Sequence, residues 1–217
     1  MNLNLNKIVK YLIYSDLIFY TGWGLISPIF AIFIVNNIAG GNAFVVGMAA
    51  GIHLVVRSIV RLLAGVYVDK NKGLKDDYSC LVWGLFVASL VPIGYIFAKT
   101  PMHIYVLQII LGMALAISTA GWTGIFSKNM DTGKESTEWG IDAAAVGLGP
   151  GIAAALGGIA VTYFSFNLVF IAVTIVGIIG ALLLLVIKKD IIQRKMTKEE
   201  LLRMRQVYRL KKNHTRL

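Results

Sequence analysis

Charge is what this chain has least of. Only 15% of its 217 residues are Asp, Glu, Lys or Arg, against about 25% in a soluble domain. The few charges gather at certain places and leave long stretches with none, which excludes an ordinary water-soluble globule. Cysteine is scarcer still. The single Cys80 allows no internal disulfide and no cysteine metal cluster; near the start of a helix it reads as a small apolar filler. The chain has no histidine–glutamate zinc spacing, no phosphate-binding glycine loop, and no histidine placed to serve a serine or Cys80. We therefore expect no enzyme, no catalytic residue, no cofactor, no metal and no use of ATP.

What is present is apolar: 57% of the residues are hydrophobic and the mean hydropathy is +0.74. A bilayer core of about 30 Å takes roughly 20 apolar residues per helix. Six stretches meet that length, near 11–34, 43–67, 79–98, 102–126, 140–163 and 167–187. The composition thus predicts an all-α integral membrane protein with six transmembrane helices. Residues 1–187 form the transmembrane domain and 188–217 a basic tail. "MNLNLNKIVK" leads into an apolar run too long for a signal peptide and without a small-residue cleavage site, so we expect a retained first helix.

The net charge of +10 does not indicate a nucleic-acid partner. The tail from Lys188 to Leu217 holds eleven Lys/Arg against three Asp/Glu, so it carries most of the excess. Six spans put both termini on one side, and the positive-inside rule assigns the side. Lys7, Lys10, Lys70, Lys72, Lys75, Lys128, Lys134 and the tail fall together; only Lys99 falls opposite. The expectation is the cytoplasmic (inner) membrane with N and C termini cytoplasmic. Within the tail, Thr197-x-x-Glu200 reads as a capping box, followed by Leu201, Met204 and Tyr208 at helical spacing. That pattern predicts a basic amphipathic helix on anionic membrane lipid; the competing reading is a solvated, frayed end.

The spans differ in polarity. The first carries Asp16, Tyr20, Trp23 and Ser27 at spacings of 4, 3 and 4, on one helical face. The fourth carries Gln108, Gly112, Thr119 and Trp122 on one face in the same way. Both faces suit the wall of a wet cavity. The second carries His53, Arg57 and Arg61, one turn apart, and the fifth ("DAAAVGLGPGIAAALGGIAV") is rich in the small residues that let helices pack closely in lipid. Those two spans suit a protein contact. The third and sixth, almost without polar groups, suit lipid. The same division in each half of the sequence predicts a three-plus-three repeat.

Between the second and third spans stands "AGVYVDKNKGLKDD". Its Gly65-x-x-x-Asp69-Lys70 resembles the signature loop of the major facilitator superfamily, G-x-x-x-D-R/K-x-G-R-R/K, with Gly73 one residue late and Lys75 after it. "EWGIDAAAVGLGPGIAAALGG" resembles that family's fifth-helix glycine–proline motif around Gly149 and Pro150, although Ala153 and Ala154 stand where antiporters usually have a glycine pair. "LQIILG" resembles its fourth-helix R-x-x-x-G, with Gln108 in the place of an arginine implicated in proton coupling and Gly112 retained. "FSKNMDTGKESTEWG" resembles the link between spans four and five in bacterial members. The resemblance covers roughly residues 10–187 and implies half of the usual fold, which has two six-helix halves. It implies a secondary transporter of small molecules working by alternating access, as a homodimer or with a second-half partner. It also implies that Gly65, Asp69 and Lys70 form a conformational latch. There the glycine permits close helix contact, and the aspartate faces a helix N-terminus of the opposite half.

Ionisable groups inside a membrane cost about 2.5–3.5 kcal/mol on insertion scales, so each needs an account. Asp16 reads as a cavity carboxylate, as one partner of an Asp16–Arg61 ion pair, or as a snorkelling side chain. Arg57 binds an anionic substrate or pairs across the half–half contact. His53 carries a proton or is hydrogen-bonded structure. Tyr20, Trp23 and Trp122 read as an aromatic substrate wall or as packing. Asp142 is accounted for by its place near a helix N-terminus. Gly147 and Gly151 are accounted for by packing, and Pro150 by a bend and a freed carbonyl. His103 and His214 suggest no role. The rival function is a non-transporting six-helix scaffold or sensor, or a degenerate transporter fragment. An interior Asp16 and Gln108 favour transport.

Overall fold

The computed structural model describes residues 5–70 and 74–192. The expected tail helix, from its capping box onward, and Lys72 and Gly73 of the signature loop lie outside the described residues. The described residues form helices and their links, with no strand.

The first span is broken. Helix α1 (Lys7–Ile26) and α2 (Phe30–Asn37) meet at a bend of 40°. Pro28 lies in the break; it donates no amide hydrogen bond and its ring would meet the carbonyl four residues back. The remaining spans are α3 (Ala43–Lys70), α4 (Leu74–Phe97), α5 (Pro101–Asn129), α6 (Glu135–Tyr163) and α7 (Phe166–Leu183). A 3₁₀ turn (Leu184–Ile187) and α8 (Lys188–Ile192) prolong the last span. Among the described residues five helices are long and apolar enough to cross a membrane, and there are six spans if α1 and α2 count as one.

Two elements run past their apolar stretches. Helix α3 continues through Lys70 and α4 begins at Leu74, so Gly65, Asp69 and Lys70 sit on the last turns of a helix and not on a loop. Asp76 and Asp77 occupy the first turn of α4, where the amide dipoles favour carboxylates, and Lys70 ends α3, where they favour a cation. His103, which had no expected role, accepts from the backbone amides of Lys99 and Thr100 through Nδ1, both at 3.3 Å, and so caps α5.

Helix α1 packs against α6 and α7, α5 packs against α3 and α4, and α4 packs against α7. Exchanging the first three spans for the last three leaves this pattern unchanged. In each half the middle span crosses to the first span of the other half, which is how the three-plus-three repeat appears without residue identity. Helices α1 and α5 themselves barely meet.

The first and last described residues come to one end of the bundle. Lys7 pairs with Asp190 at 2.8 Å, and Asn6 Nδ2 donates to the Asn129 carbonyl at 3.2 Å. At the opposite end the Ala39 amide donates to the Lys99 carbonyl at 3.0 Å. Nearby, Phe33 meets Phe170 at 4.9 Å and Phe166 at 5.4 Å, and Phe30 meets Tyr95 at 4.9 Å, which seats α2 on α4 and α7.

The third and sixth spans are less lipid-facing than their composition suggested. Helix α4 turns Trp83 and Phe97 outward, but it buries Tyr78, Leu81, Leu85 and Tyr95 between α5 and α7. An apolar sequence does not distinguish lipid from protein as the neighbour, because both are apolar.

At the basic end Asp77 has a side chain fully excluded from solvent, and its Oδ2 accepts from Lys128 Nζ at 2.9 Å. Removing one partner of a fully buried pair costs about 3–5 kcal/mol. Lys128 is 41% exposed, so solvent screens part of that interaction. Lys128→Met is expected to lower stability by about 1–3 kcal/mol. Adding Asp77→Asn should recover most of the loss. Thermal unfolding of the three variants in detergent checks this; a Lys128→Met protein as stable as the wild type would show the pair to be idle.

Candidate functional site

Because α1 and α5 diverge, a furrow runs between them, walled on its flanks by α3 and α6. It has two chambers with Tyr20, Leu115 and Val146 common to both. The first chamber, about 610 Å³, lies toward the bend between α1 and α2. It takes Tyr20, Trp23 and Ser27 from α1 and the bend, His53 and Arg57 from α3, Gln108 from α5 and Pro150 from α6. The second chamber, about 490 Å³, lies toward the basic end and takes Asp16, Arg61, Thr119, Trp122 and Gly147. A smaller pocket follows, bounded by Arg61, Gly65, Asp69 and Lys128. The residues picked out by helical spacing are divided between the two chambers.

The first chamber is rich in hydrogen-bond donors. Trp23 Nε1, His53 Nδ1 and the Tyr95 hydroxyl are buried and have no hydrogen-bond partner, and Gln108 is buried with its side chain on the wall. Buried polar atoms are nearly always satisfied in folded proteins, so three open ones on a single wall set this chamber apart. Arg57 joins this wall beside the Tyr20 hydroxyl. Tyr95 was not foreseen, because its span is otherwise nearly free of polar groups; its hydroxyl offered no periodic pattern to read.

The second chamber holds the carboxylates of the furrow. Asp16 and Arg61 both line it, but they form no ion pair. Among the described residues the ion pairs are Lys7–Asp190, Lys128–Asp77 and Lys134–Asp131. Asp142 also lines this chamber, and its Oδ1 has no partner. A helix-terminus account of Asp142 therefore leaves out the cavity it faces. Trp139 was missed as well; it stands on the wall and contacts Trp122 at 5.5 Å and Phe126 at 4.8 Å. Its position three residues before Asp142 puts the two on one face of α6, a signal present in the sequence.

The glycines divide by role. A Cβ on Gly112 would come within 2.9 Å of the His53 carbonyl, so this glycine brings α5 onto α3 beside the first chamber. One on Gly24 would lie 2.5 Å from Pro150 Cα, where α1 crosses α6. Gly149 abuts Thr21 and Leu17 of α1. Gly65, Gly147 and Gly151 would meet nothing within 4 Å, so packing inside this six-helix unit explains none of them. Asp69 and Lys70 are exposed. Pro150 leaves α6 continuous; lacking an N–H, it cannot bond the carbonyl of Val146, a residue common to both chambers.

The helices that flank the furrow are the least covered. Of the most apolar stretch of α3 and α6, 11% and 17% is buried, against 44% to 56% for α4, α5 and α7. Leu54, Leu62 and Leu63 on α3 and Leu148, Ile152 and Ile159 on α6 all stand exposed.

Residues 13–211 match the family model described as Major Facilitator Superfamily. No curated protein matches the chain.

Proposed function

The chain belongs to the major facilitator superfamily, a family of secondary transporters, and we propose that it moves small solutes across the cytoplasmic membrane by alternating access. It is an integral membrane protein. The furrow between α1 and α5 is one side of the transport pathway, and the uncovered faces of α3 and α6 receive a second six-helix half. That half is a second copy of this chain or a separate partner. Both arrangements keep the basic ends on one side, as the positive-inside rule asks when both termini are cytoplasmic.

One observation carries this reading: the two helices that flank a polar furrow are also the two least covered. A second half seated on them would close the furrow into a central cavity without covering it. A scaffold or sensor accounts for an exposed apolar face in membrane but gives no reason for open donors and carboxylates along the furrow. Asp69 and Lys70, exposed at the end of α3, are then placed with Gly65 to meet the incoming half as a latch, with Asp69 near one of its helix N-termini.

The test is native mass spectrometry from nanodiscs, joined to crosslinking of Leu62→Cys in a Cys80→Ser background. Leu62 is 71% exposed on α3. We expect twice the 23.7 kDa chain mass and a Leu62→Cys crosslink between copies. A heterodimer isolated from native membranes would replace the second copy by a partner half. A clean monomer that moves no solute in proteoliposomes would overturn the reading.

A further inference from the structure

The second chamber has an unbalanced wall. Asp16 of α1 and Asp142 of α6 line it together. Neither takes part in an ion pair among the described residues. Asp142 is only 9% exposed and its Oδ1 is unpartnered. Arg61 is the one basic residue on this wall. It is exposed and also borders the neighbouring pocket of Asp69. With both carboxylates ionised, the one guanidinium leaves a single negative charge at low dielectric, where an uncompensated charge is costly.

The rest of the wall is aromatic. Trp122 stacks on Phe126 at 4.3 Å and meets Trp139 at 5.5 Å, and both tryptophans and Tyr20 line the chamber. Trp122 is 6% exposed with an unpartnered Nε1. Aromatic faces attract cations, tryptophan most of all. Size separates an organic cation from an inorganic one. A hydrated ion occupies a few multiples of water's roughly 30 Å³, whereas the chamber of about 490 Å³ falls in the usual range for small organic ligands. Among the described residues no group of three or more His, Cys, Asp or Glu could hold a metal ion.

We propose that the second chamber binds a monovalent organic cation with an aromatic body, its charge between Asp16 and Asp142 and its rings against Trp122 and Trp139. This rests on the transport reading and names its substrate class. The donor-rich first chamber, which holds no carboxylate, takes whatever electron-rich part of the same molecule extends past Tyr20.

The probe is tetraphenylphosphonium, with tetraphenylborate as an ion of the same shape and opposite charge, added to the full chain in nanodiscs. Tryptophan quenching and equilibrium dialysis read binding. Above the uptake by empty nanodiscs, the phosphonium is expected to bind saturably and the borate to show no further binding. Asp16→Asn and Asp142→Asn should each weaken phosphonium binding at least about tenfold, the scale of a lost charged contact. Trp83→Phe, on the outward face of α4 at 67% exposure, should leave binding unchanged. Should Asp142→Asn fail to fold, Trp139→Leu must show a comparable loss. Equal binding of the two ions, or variants that bind like the wild type, would overturn the proposal. Transport of some other solute without saturable phosphonium binding would also sink it, while leaving the transport reading standing. Saturable, aspartate-dependent binding without movement of any solute would support the chamber and count against transport.

Discussion

Asp16→Asn stops substrate movement while the yield of folded protein stays that of the wild type. The amide has nearly the shape of the carboxylate, so the substitution removes a charge and little else. Asp16 belongs to no ion pair among the described residues, and its side chain lines a chamber and not a packed contact. Folding therefore loses nothing when the charge goes, and relief of an unpaired charge in the membrane adds slightly to stability. A step that needs the carboxylate loses a charged interaction of about 1.5–3 kcal/mol, so transport falls at least about tenfold. Size-exclusion yield and solute flux in proteoliposomes, using a solute found by screening, read the two quantities separately. An unchanged flux refutes the carboxylate role; a lost yield with normal flux per folded molecule would return Asp16 to a structural part.

Gly157→Ala destabilises the protein by about 3 kcal/mol while the adjacent Gly158→Ala is neutral or mildly stabilising. A Cβ at Gly157 would run into the backbone of Leu25 on α1, and one at Gly158 would meet nothing within 4 Å. Backbone cannot swing aside as a side-chain tip can, so α6 must back away from α1. Helix α6 has little other support, for its packing is almost wholly on α1. Overpacking of a close contact costs about 1–3 kcal/mol, sometimes more, and 1 kcal/mol moves the unfolding midpoint of a chain this size by about 2–4 °C. The expected difference between the two variants is thus about 10 °C. At Gly158 the gain is the ordinary preference of a helix for alanine, up to about 1 kcal/mol. Equal midpoints would show that the α1–α6 crossing is not set at Gly157.

The two glycines are neighbours in one motif, and nothing in their sequence context separates them. The same limit applies elsewhere. That Asp16, Tyr20, Trp23 and Ser27 share a face follows from spacing, but the furrow along that face is divided into two chambers, with Asp16 on one side of Tyr20 and Trp23 on the other. Arg61 and Asp16 stand at similar depth, yet depth along two helices says nothing of the rotation that brings side chains into contact, and the pair does not form. Asp142 and Trp139 were within reach of a spacing argument, since they lie three apart on α6; Tyr95, alone on its span, was not.

Long uncharged runs between charged links were enough to determine six membrane spans, because a backbone in hydrocarbon must satisfy its own hydrogen bonds within a helix of set length. The placement of Gly65, Asp69, Gly149 and Pro150 relative to those runs was enough to indicate the family. Tertiary structure alone decided that the middle span of each half crosses to the opposite half, that α1 and α5 part to leave a furrow, and that its carboxylates collect in one of the two chambers. Those outcomes depend on helix rotation and crossing, which are set by backbone-to-backbone contacts at particular glycines. Periodicity along one helix carries no information about which face of another it will meet.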